Sequence, residues 1–301
     1  MAKNSFDING KTRIISNGML NLSNSSINSI LELEELKDYT WLSGLDFGVN
    51  KISEIQGLDC FSSNLKELHL WYNLISEIEG LESLINLEKL YLDSNKIVEI
   101  RGLDDLVNLE VLSLMGNELF EIRGLGKLNN LKELVLNFNC IDRIEELDQL
   151  QNLERLLLRG NSISEITGLE KLTNLRELDL SKNLLTKISG LDSLTKLESL
   201  FLSRNQIKNI TGLDALSNLK ELFIDNNLIS EISGLDNLTN LETLELRNNQ
   251  ISEIQGLGSL KKLETLYLSE NRLRNDYLEK FGGLSSVGYA IKPQIFVRYS
   301  H

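Results

Sequence analysis

The sequence predicts an α/β solenoid: a horseshoe of stacked coils with a concave parallel β-sheet and convex 3₁₀ or short helical turns. Three observations support this prediction. First, similar segments recur along most of the 301-residue chain, as in 87–103, 153–169 and 241–257. Second, asparagines recur at steps of 22 residues from Asn73 to Asn271. Third, leucines in each repeat alternate with variable residues at the period of a β-strand, so each repeat supplies one strand to the sheet.

The repeated pattern is LxxLxLxxNxIxxIxGLxxLxN, which is that of a leucine-rich repeat of the 22-residue class. Alternation in the LxL segment sends the leucines to one side of the strand and the intervening residues to the other. The Ile-x-x-Ile spacing returns two apolar side chains to the core, as a 3₁₀ turn would. The glycine that follows allows a tight bend, and because Glu146 replaces it in one repeat, we expect that bend to differ slightly. The recurring asparagine is expected to hydrogen-bond backbone groups of its own coil and of its neighbours.

We divide the chain into three segments. Residues 1–41 form an N-terminal cap with one degenerate repeat, in which Ser25 takes the place of the asparagine. Residues 42–274 hold eleven repeats, and residues 275–301 form a C-terminal cap. A repeat cannot bury its leucines alone, so both ends need such cover.

The two caps carry weaker patterns than the repeats. In the N-terminal cap, residues 31–42 are expected to supply a helix and aromatic cover. In the C-terminal cap, Leu278, Phe281 and Leu284 follow helical spacing. The last residues, 289–301, favour a strand that closes the edge of the core.

Composition and charge exclude several classes of partner. The chain carries 31 Lys and Arg against 44 Asp and Glu, a net charge of −13. Such an acidic surface repels phosphate backbones and anionic lipid, so we expect neither a nucleic-acid nor a membrane partner. The first 16 residues lack the apolar stretch of a signal peptide, and no run approaches 18 apolar residues. We therefore expect a monomeric cytoplasmic protein, with the nucleus as an alternative location.

Residues suited to chemistry are few. The chain has two histidines and two cysteines, and no phosphate-binding GxxxxGK[ST] motif occurs. His69 falls on the concave face, but no second histidine or cysteine accompanies it in the pattern, so we interpret it as a surface contact. Cys60 and Cys140 lie in distant repeats and are expected to stay reduced. We conclude that the protein is not an enzyme and holds no cofactor and no metal.

The concave face is the candidate functional surface, because its residues have no duty in the core. Aromatic residues make up only 6% of the chain, yet several fall on this face among charged residues, as in a protein interface. We predict that the following residues bind a protein partner: Trp71, Tyr91, Asp179, Phe201, Phe223, Asp225, Glu245 and Tyr267.

These candidates form two groups. The stretch from Asp179 to Tyr267 is acidic and aromatic, and suits a basic or arginine-bearing protein. Trp71, Tyr72 and Tyr91 form a second, N-terminal cluster.

The units quoted above resemble those of the regulatory subunit 7 family of protein phosphatase type 1. The resemblance implies a non-enzymatic scaffold whose concave acidic and aromatic residues bind the phosphatase catalytic subunit. Tyr267 matches the family's aromatic contact in the last strand, whereas Glu245 and Arg247 stand where the preceding strand of the family carries tryptophan.

Two alternatives remain open. The same frame occurs in scaffolds for other intracellular partners, such as a small GTPase or a cytoskeletal protein. It also resembles the internalin-like adhesins, which use 22-residue units but are exported and commonly carry proline in the turn where this chain has glycine.

Overall fold

A computed structural model of the chain describes residues 4–300, apart from the side chain of Tyr277. The described residues fall into two compact units. The N-terminal unit contains the residues up to Ile141 together with Glu145–Leu153, and the C-terminal unit contains Asp142–Ile144 and the residues from Glu154 onward. Each unit is built from the same coil.

In the N-terminal unit, eight strands pair in sequence order. The first two pairings are antiparallel and the later ones are parallel. The strands are β1 (Ser5–Ile8), β2 (Lys11–Ser16), β3 (Met19–Asn21), β4 (Gly44–Asp46), β5 (Glu67–His69), β6 (Lys89–Tyr91), β7 (Val111–Ser113) and β8 (Glu133–Val135).

In the C-terminal unit, six parallel strands pair in sequence order and two short helices follow. The elements are β9 (Arg155–Leu157), β10 (Glu177–Asp179), β11 (Ser199–Phe201), β12 (Glu221–Phe223), β13 (Thr243–Glu245), β14 (Thr265–Tyr267), α1 (Asn275–Lys280) and α2 (Pro293–Tyr299). The strands β4 to β14 correspond one to one with the eleven predicted repeats.

The leucines and isoleucines of the repeat form the core, as the pattern predicts. In the coil around β6, Leu90, Leu92 and Ile97 are fully buried and Ile100 is nearly so. The residues on either side of the central leucine of β6 face outward and keep some exposure. Burial of one face of every strand fixes the register, because a shift by one residue would turn the leucines to solvent.

The convex side forms the predicted short turns of 3₁₀ type. One segment there, Asp59–Phe61, forms a 3₁₀ helix. The other convex segments are successive turns closed by hydrogen bonds between residues three apart, such as Leu84 N–H to Leu81 O at 2.9 Å.

The recurring asparagine forms the predicted hydrogen bonds. Asn95 donates from Nδ2 to the carbonyl oxygens of Leu92 in its own coil, at 3.0 Å, and of Leu70 in the preceding coil, at 2.9 Å. Its Oδ1 accepts the N–H of Ile75 at 3.0 Å. Asn183 makes the equivalent bonds in the C-terminal unit. Each buried asparagine therefore satisfies backbone groups of two successive coils.

The N-terminal cap contains a β-hairpin that the sequence reasoning did not predict. Asn9 and Gly10 both have positive φ, of 50° and 71°, and join β1 to β2. Behind the hairpin, Tyr39 donates its hydroxyl hydrogen to Ser5 O at 2.6 Å and packs edge-on against Phe6. The predicted helical cover is two 3₁₀ segments, Ile30–Glu32 and Glu34–Tyr39.

The degenerate repeat of the N-terminal cap joins the sheet. Its strand β3 pairs in parallel with β4. Asn50 of the following coil accepts the N–H of Ser25 and of Ile27, both at 3.0 Å. Ser25 does not make the bonds that the asparagine makes in the other coils. Its coil is the first of the stack, so no preceding coil has backbone groups that require those bonds.

The C-terminal cap corrects one prediction. The segment 293–299, which was expected to be a strand, is helix α2, and Pro293 opens it at a position where the missing N–H costs nothing. Phe296 of this helix is fully buried and stacks on Phe281 at 5.2 Å. Residues 288–290 do close the sheet edge, since Ala290 N–H reaches Leu266 O at 2.7 Å.

Glu146 keeps the left-handed bend and changes it only slightly, as expected. Its φ is +57°, close to the +67° to +78° of the glycines at the same position in other repeats. An L-residue in this left-handed region is strained by about 1–2 kcal/mol.

We therefore expect Glu146→Gly to raise the free energy of unfolding by about 0.5–1 kcal/mol, after the greater freedom of glycine in the unfolded chain is subtracted. Equilibrium urea unfolding measures this change.

The reverse substitution is the control. A Cβ at Gly102 would lie 2.3 Å from Ile78 O, so Gly102→Ala is expected to destabilise by more than about 1 kcal/mol. A destabilising Glu146→Gly would show that the bend there is not strained.

Removal of the Asn183 side chain tests the asparagine bonds. Asn183→Ala leaves the N–H of Ile163 and the carbonyls of Leu158 and Leu180 without this partner, and should cost about 1–3 kcal/mol. Calorimetry measures the loss. The exposed Asn209 serves as a control, with Asn209→Ala expected to stay within about 0.5 kcal/mol of the wild type. Equal effects of the two variants would contradict the role given to the buried amide.

Candidate functional site

The candidate site lies on the sheet face, which we define as the outward-facing positions of each strand. Three such positions occur in each coil: the residues before and after the central leucine, and the residue two places further on. In β10 these are Glu177, Asp179 and Ser181. The sequence reasoning used the second and third positions, and the structure adds the first, which the same alternation could have identified.

Five of the six predicted residues of the C-terminal unit form one row across adjacent strands, and the sixth, Asp225, lies two residues beyond Phe223. Asp179, Phe201, Phe223, Glu245 and Tyr267 are direct partners in the strand register. The rings of Phe201 and Phe223 stack with centroids 5.0 Å apart and planes at 24°. Both rings are half-buried, so each still presents part of its surface to solvent. This stacked pair is the centre of the row.

Glu245 is placed differently from its neighbours in the row. It is 2% exposed, so its carboxylate is not available as a direct acidic contact. Arg247, two residues beyond the end of β13, pairs with it: Nε lies 2.9 Å from Oε1 and a terminal guanidinium nitrogen lies 2.8 Å from Oε2. Burial raises the pKa of the Glu245 carboxyl, and the bonds from Arg247 oppose that rise. Glu245 therefore positions Arg247.

Arg247 links Glu245 to the aromatic end of the row. Its guanidinium carbon lies 4.8 Å from the centre of the Tyr267 ring, a cation–π arrangement. Tyr267 in turn meets Tyr289 edge to face at 6.2 Å. Tyr289 belongs to the C-terminal cap and was not among the predicted residues. Its strand pairing with Tyr267 depends on the irregular turn at 283–288, so no periodic signal marks it.

The carboxylates near the stacked pair differ in their surroundings. Glu177 pairs with Arg155, whose Nε lies 2.8 Å away. Asp179 accepts the N–H of Ser181 at 2.8 Å through Oδ1. Asp225 accepts the Ser203 hydroxyl and the side-chain amide of Asn226. Thus Glu177 is neutralised by a cation, whereas Asp179 and Asp225 accept only from neutral donors in the bonds described.

The predicted N-terminal cluster separates into two pairs. Trp71 meets Tyr72 edge to face at 6.4 Å, and Trp71 also lies over Gly48, where a Cβ would approach its ring within 2.3 Å. Tyr91 instead contacts His69, with ring centroids 4.5 Å apart. Burial, followed by the charges of nearby carboxylates, raises the pKa of Tyr91. Tyr72 is exposed and Trp71 is half-buried.

His69 has a structural partner, since its Nε2 lies 2.7 Å from Glu67 Oε1. Within residues 4–300, no group of three or more histidine, cysteine, aspartate or glutamate side chains could hold a metal ion. Cys60 and Cys140 are free, and burial raises the pKa of the Cys60 thiol. None of the described helices is long and apolar enough to cross a membrane.

Comparison with known families supports this architecture. The family profile for leucine-rich repeats in two copies matches residues 63–106, 151–193, 195–237 and 239–281, together more than half of the chain. The chain belongs to the leucine-rich repeat family. Members of this family are typically non-enzymatic scaffolds for protein interactions. No curated protein sequence matches the chain.

Several solved leucine-rich repeat structures are similar. Internalin inlF of Listeria monocytogenes is 28% identical, with a TM-score of 0.78 over 88% of this chain and 77% of the internalin. Internalin C2 of the same species is 32% identical, with a TM-score of 0.57 over 61% of this chain and 81% of its own. A leucine-rich repeat protein of Leptospira interrogans is 24% identical, with a TM-score of 0.62 over 87% and 86%, and shows the shared fold.

The buried Glu245 predicts a pH dependence of stability. Since burial raises its pKa, the folded carboxyl binds its proton more tightly than the unfolded one. Its stabilising contribution is full below the ordinary carboxyl pKa and is lost as the pH rises through the raised folded value. The free energy of unfolding of the wild type, minus that of Glu245→Gln, should therefore fall from acid to neutral pH in urea titrations.

Glu231 provides the control for this titration. It is exposed to solvent, and Glu231→Gln removes a carboxyl group just as Glu245→Gln does. The free energy of unfolding of the wild type minus that of Glu231→Gln should stay constant over the same pH range. If the free energy of unfolding of the wild type minus that of Glu245→Gln rises toward neutral pH, the bonds from Arg247 lower the pKa of Glu245 by more than burial raises it.

Proposed function

We propose that this leucine-rich repeat chain is a non-enzymatic scaffold that binds a protein partner through the sheet face of its C-terminal unit. The observation that supports this proposal is the row from Asp179 to Tyr267, with the stacked Phe201–Phe223 pair at its centre. Aromatic rings flanked by charges are the usual composition of a protein interface: the rings bury area and the charges select the partner.

Shielding of the strand backbone is the competing explanation for these rings. The stacked pair does cover part of β11 and β12. However, Tyr267 and Tyr289 extend the aromatic surface beyond that pair, and Tyr289 is 39% exposed in the cap. Solvent-facing aromatic area of this kind costs free energy unless a partner covers it. A binding role explains the whole surface, whereas shielding explains only the pair.

A type-1 phosphatase catalytic subunit is the partner that the resemblance to the regulatory subunit 7 family indicates. Support for it comes from Tyr267 at the last strand and from the acidic groups beside Phe201 and Phe223. Arg247 and the buried Glu245 occupy the strand in which that family carries tryptophan. We therefore propose this partner for the aromatic and acidic part of the surface. A small GTPase or a cytoskeletal protein would use the same surface.

A second candidate is an internalin-like adhesin. The similarity to inlF favours it, with 28% identity over 88% of the chain. The glycine-containing convex turns, in which the 22-residue adhesins commonly carry proline, remain a difference. Location separates the two functions: a regulator is recovered from inside the cell with its partner, and an adhesin is recovered from the surface or the medium.

The double variant Phe223→Ala/Tyr267→Ala tests the proposed surface. Removing two rings that contribute to no buried core should leave the unfolding temperature nearly unchanged and lower the affinity for a partner at least about a hundredfold, since aromatic anchors dominate interfaces. The partner is first recovered by affinity purification of the full chain from its native cell, then purified and titrated calorimetrically against each variant.

A matched control removes two exposed rings outside the sheet face. Phe120→Ala/Tyr299→Ala takes away aromatic side chains that are 56% and 62% exposed, and the partner should still bind normally. Recovery of the same partner by both double variants with equal affinity would refute the assignment of this surface. Addition of purified type-1 phosphatase catalytic subunit tests the named partner directly, since binding lost with Phe223 and Tyr267 supports it and absence of binding excludes it.

A further inference from the structure

We propose that the Asp179–Phe201–Phe223–Asp225 patch binds an arginine side chain of the partner. The guanidinium stacks on the phenylalanine surface and pairs with Asp179, while Asp225, two strands away, adds negative charge on the other side of the patch. This inference rests on the proposed protein-binding role of the sheet face and names the partner chemistry that the face selects.

Charge on the outward positions points to a cation. From β10 to β14 these positions carry five acidic residues and one basic residue, Arg247. Two of the five are already compensated, because Glu177 pairs with Arg155 and the buried Glu245 pairs with Arg247. The charge of Arg247 also acts on Asp225. The acidic residues at these positions that have no cation in the bonds described are therefore Asp179 in β10 and Glu221 in β12, on the two strands that border β11.

Asp179 is the carboxylate best placed to receive the cation. In the strand register its partners are Leu157 on one side and Phe201 on the other, and neither is charged. Its Oδ1 accepts the Ser181 N–H, and that bond also fixes the side chain beside the Phe201 ring. A guanidinium over this ring can thus approach a fixed carboxylate, which avoids the entropy cost of ordering one.

Asp225 and Glu221 border the other side of the patch. Asp225 lies two residues after Phe223 and is held by the Ser203 hydroxyl. Glu221 lies two residues before Phe223 and accepts the Ser199 hydroxyl at 2.8 Å. Both are half-buried, where the effective dielectric constant is lower than in bulk water. An ion pair formed here is stronger than one between exposed side chains.

The shape of the patch favours arginine over lysine. The rings of Phe201 and Phe223 stack on each other with centroids 5.0 Å apart, so the flat surface left for a ligand is the outer face of each ring, which for Phe201 lies on the Asp179 side. A planar guanidinium stacks on such a surface and still donates in its own plane to a carboxylate, whereas a compact ammonium can do only one of these well. Arg247 shows the same preference within this unit, since its guanidinium lies over Tyr267 while it pairs with Glu245.

Selection from a phage library of random heptapeptides tests the inference on the full-length chain. Wild-type protein should enrich arginine-containing peptides. The variant Asp179→Asn/Asp225→Asn should not enrich them, although asparagine keeps the oxygen that accepts from Ser181 and Ser203. The best arginine peptide, made synthetically, should bind at least about tenfold more weakly after arginine is replaced by the uncharged isostere citrulline, and its affinity should fall with salt.

A matched control removes charge elsewhere in the same unit. Asp236 is an exposed aspartate in a convex turn, and a double variant of Asp214→Asn/Asp236→Asn loses the same net charge outside the sheet face. It should keep the arginine preference within about twofold. Equal arginine enrichment by Asp179→Asn/Asp225→Asn and by this control would overturn the inference.

The remaining outcomes separate this inference from the proposed function. If the selected peptides lack arginine but lose binding with Phe223→Ala/Tyr267→Ala, the arginine site is wrong and the binding surface stands. If selection yields no peptide that depends on any sheet-face residue, both fail. Retained affinity of the citrulline peptide would overturn the arginine site even where arginine is enriched.

Discussion

The structure depends on the buried asparagine that closes each strand. Asn95 is 8% exposed, and its amide serves two carbonyls and one N–H from two coils that would otherwise be buried without partners. An unpaired backbone group in that position costs about 1–3 kcal/mol, so no other side chain of similar size replaces it without loss. The amide of each such asparagine thereby ties its own coil to the preceding one. The core between the coils is therefore formed without the outward residues.

A second asparagine supports the other end of the strand, and it explains the final letter of the repeat pattern. Asn108 donates to Ile85 O at 2.9 Å and Asn130 to Val107 O at 2.9 Å in the N-terminal unit, while Asn218 donates to Thr195 O at 2.8 Å in the C-terminal unit. These amides are exposed, so water can replace each bond at little cost. Lys196 and Lys262 can therefore stand at this position and bond the asparagine of the preceding coil instead. Burial, rather than residue type, decides which of the two asparagines is indispensable.

Sequence reasoning predicted the parts of the fold that repeat. Each strand from β4 to β14 was marked by the same letters, so an error in one repeat would have been visible against ten others. The caps occur once and lack that check. The hairpin at β1 and β2 was missed although Asn9-Gly10, and again Asn17-Gly18 before β3, are strong turn signals with positive φ at both residues. Helix α2 was missed although Pro293 is a typical first helical residue. At Glu146 the surrounding coils impose a left-handed conformation that the side chain itself disfavours, so the bend there differs only slightly from that of the glycines.

The candidate site was predictable in position but not in its internal contacts. Strand alternation places Phe201, Phe223 and Tyr267 on one face, and the 22-residue step makes them neighbours. That step also yields a pairing rule: residues 22 apart meet across adjacent strands, as in the Lys66–Glu88 and Arg155–Glu177 ion pairs. The rule leaves Asp179 without a cation, because the residues 22 before and after it are leucine and phenylalanine. It does not predict the ion pair between Arg247 and Glu245, which are only two residues apart. That pair forms because the Glu245 carboxylate is buried between Phe223 of β12 and Tyr267 of β14. Sequence alone therefore counts Glu245 as an acidic contact residue, although its side chain is buried. Burial withdraws Glu245 from the surface, and the half-buried carboxylates Asp179, Glu221 and Asp225 remain on the strands that carry or border the stacked phenylalanine pair.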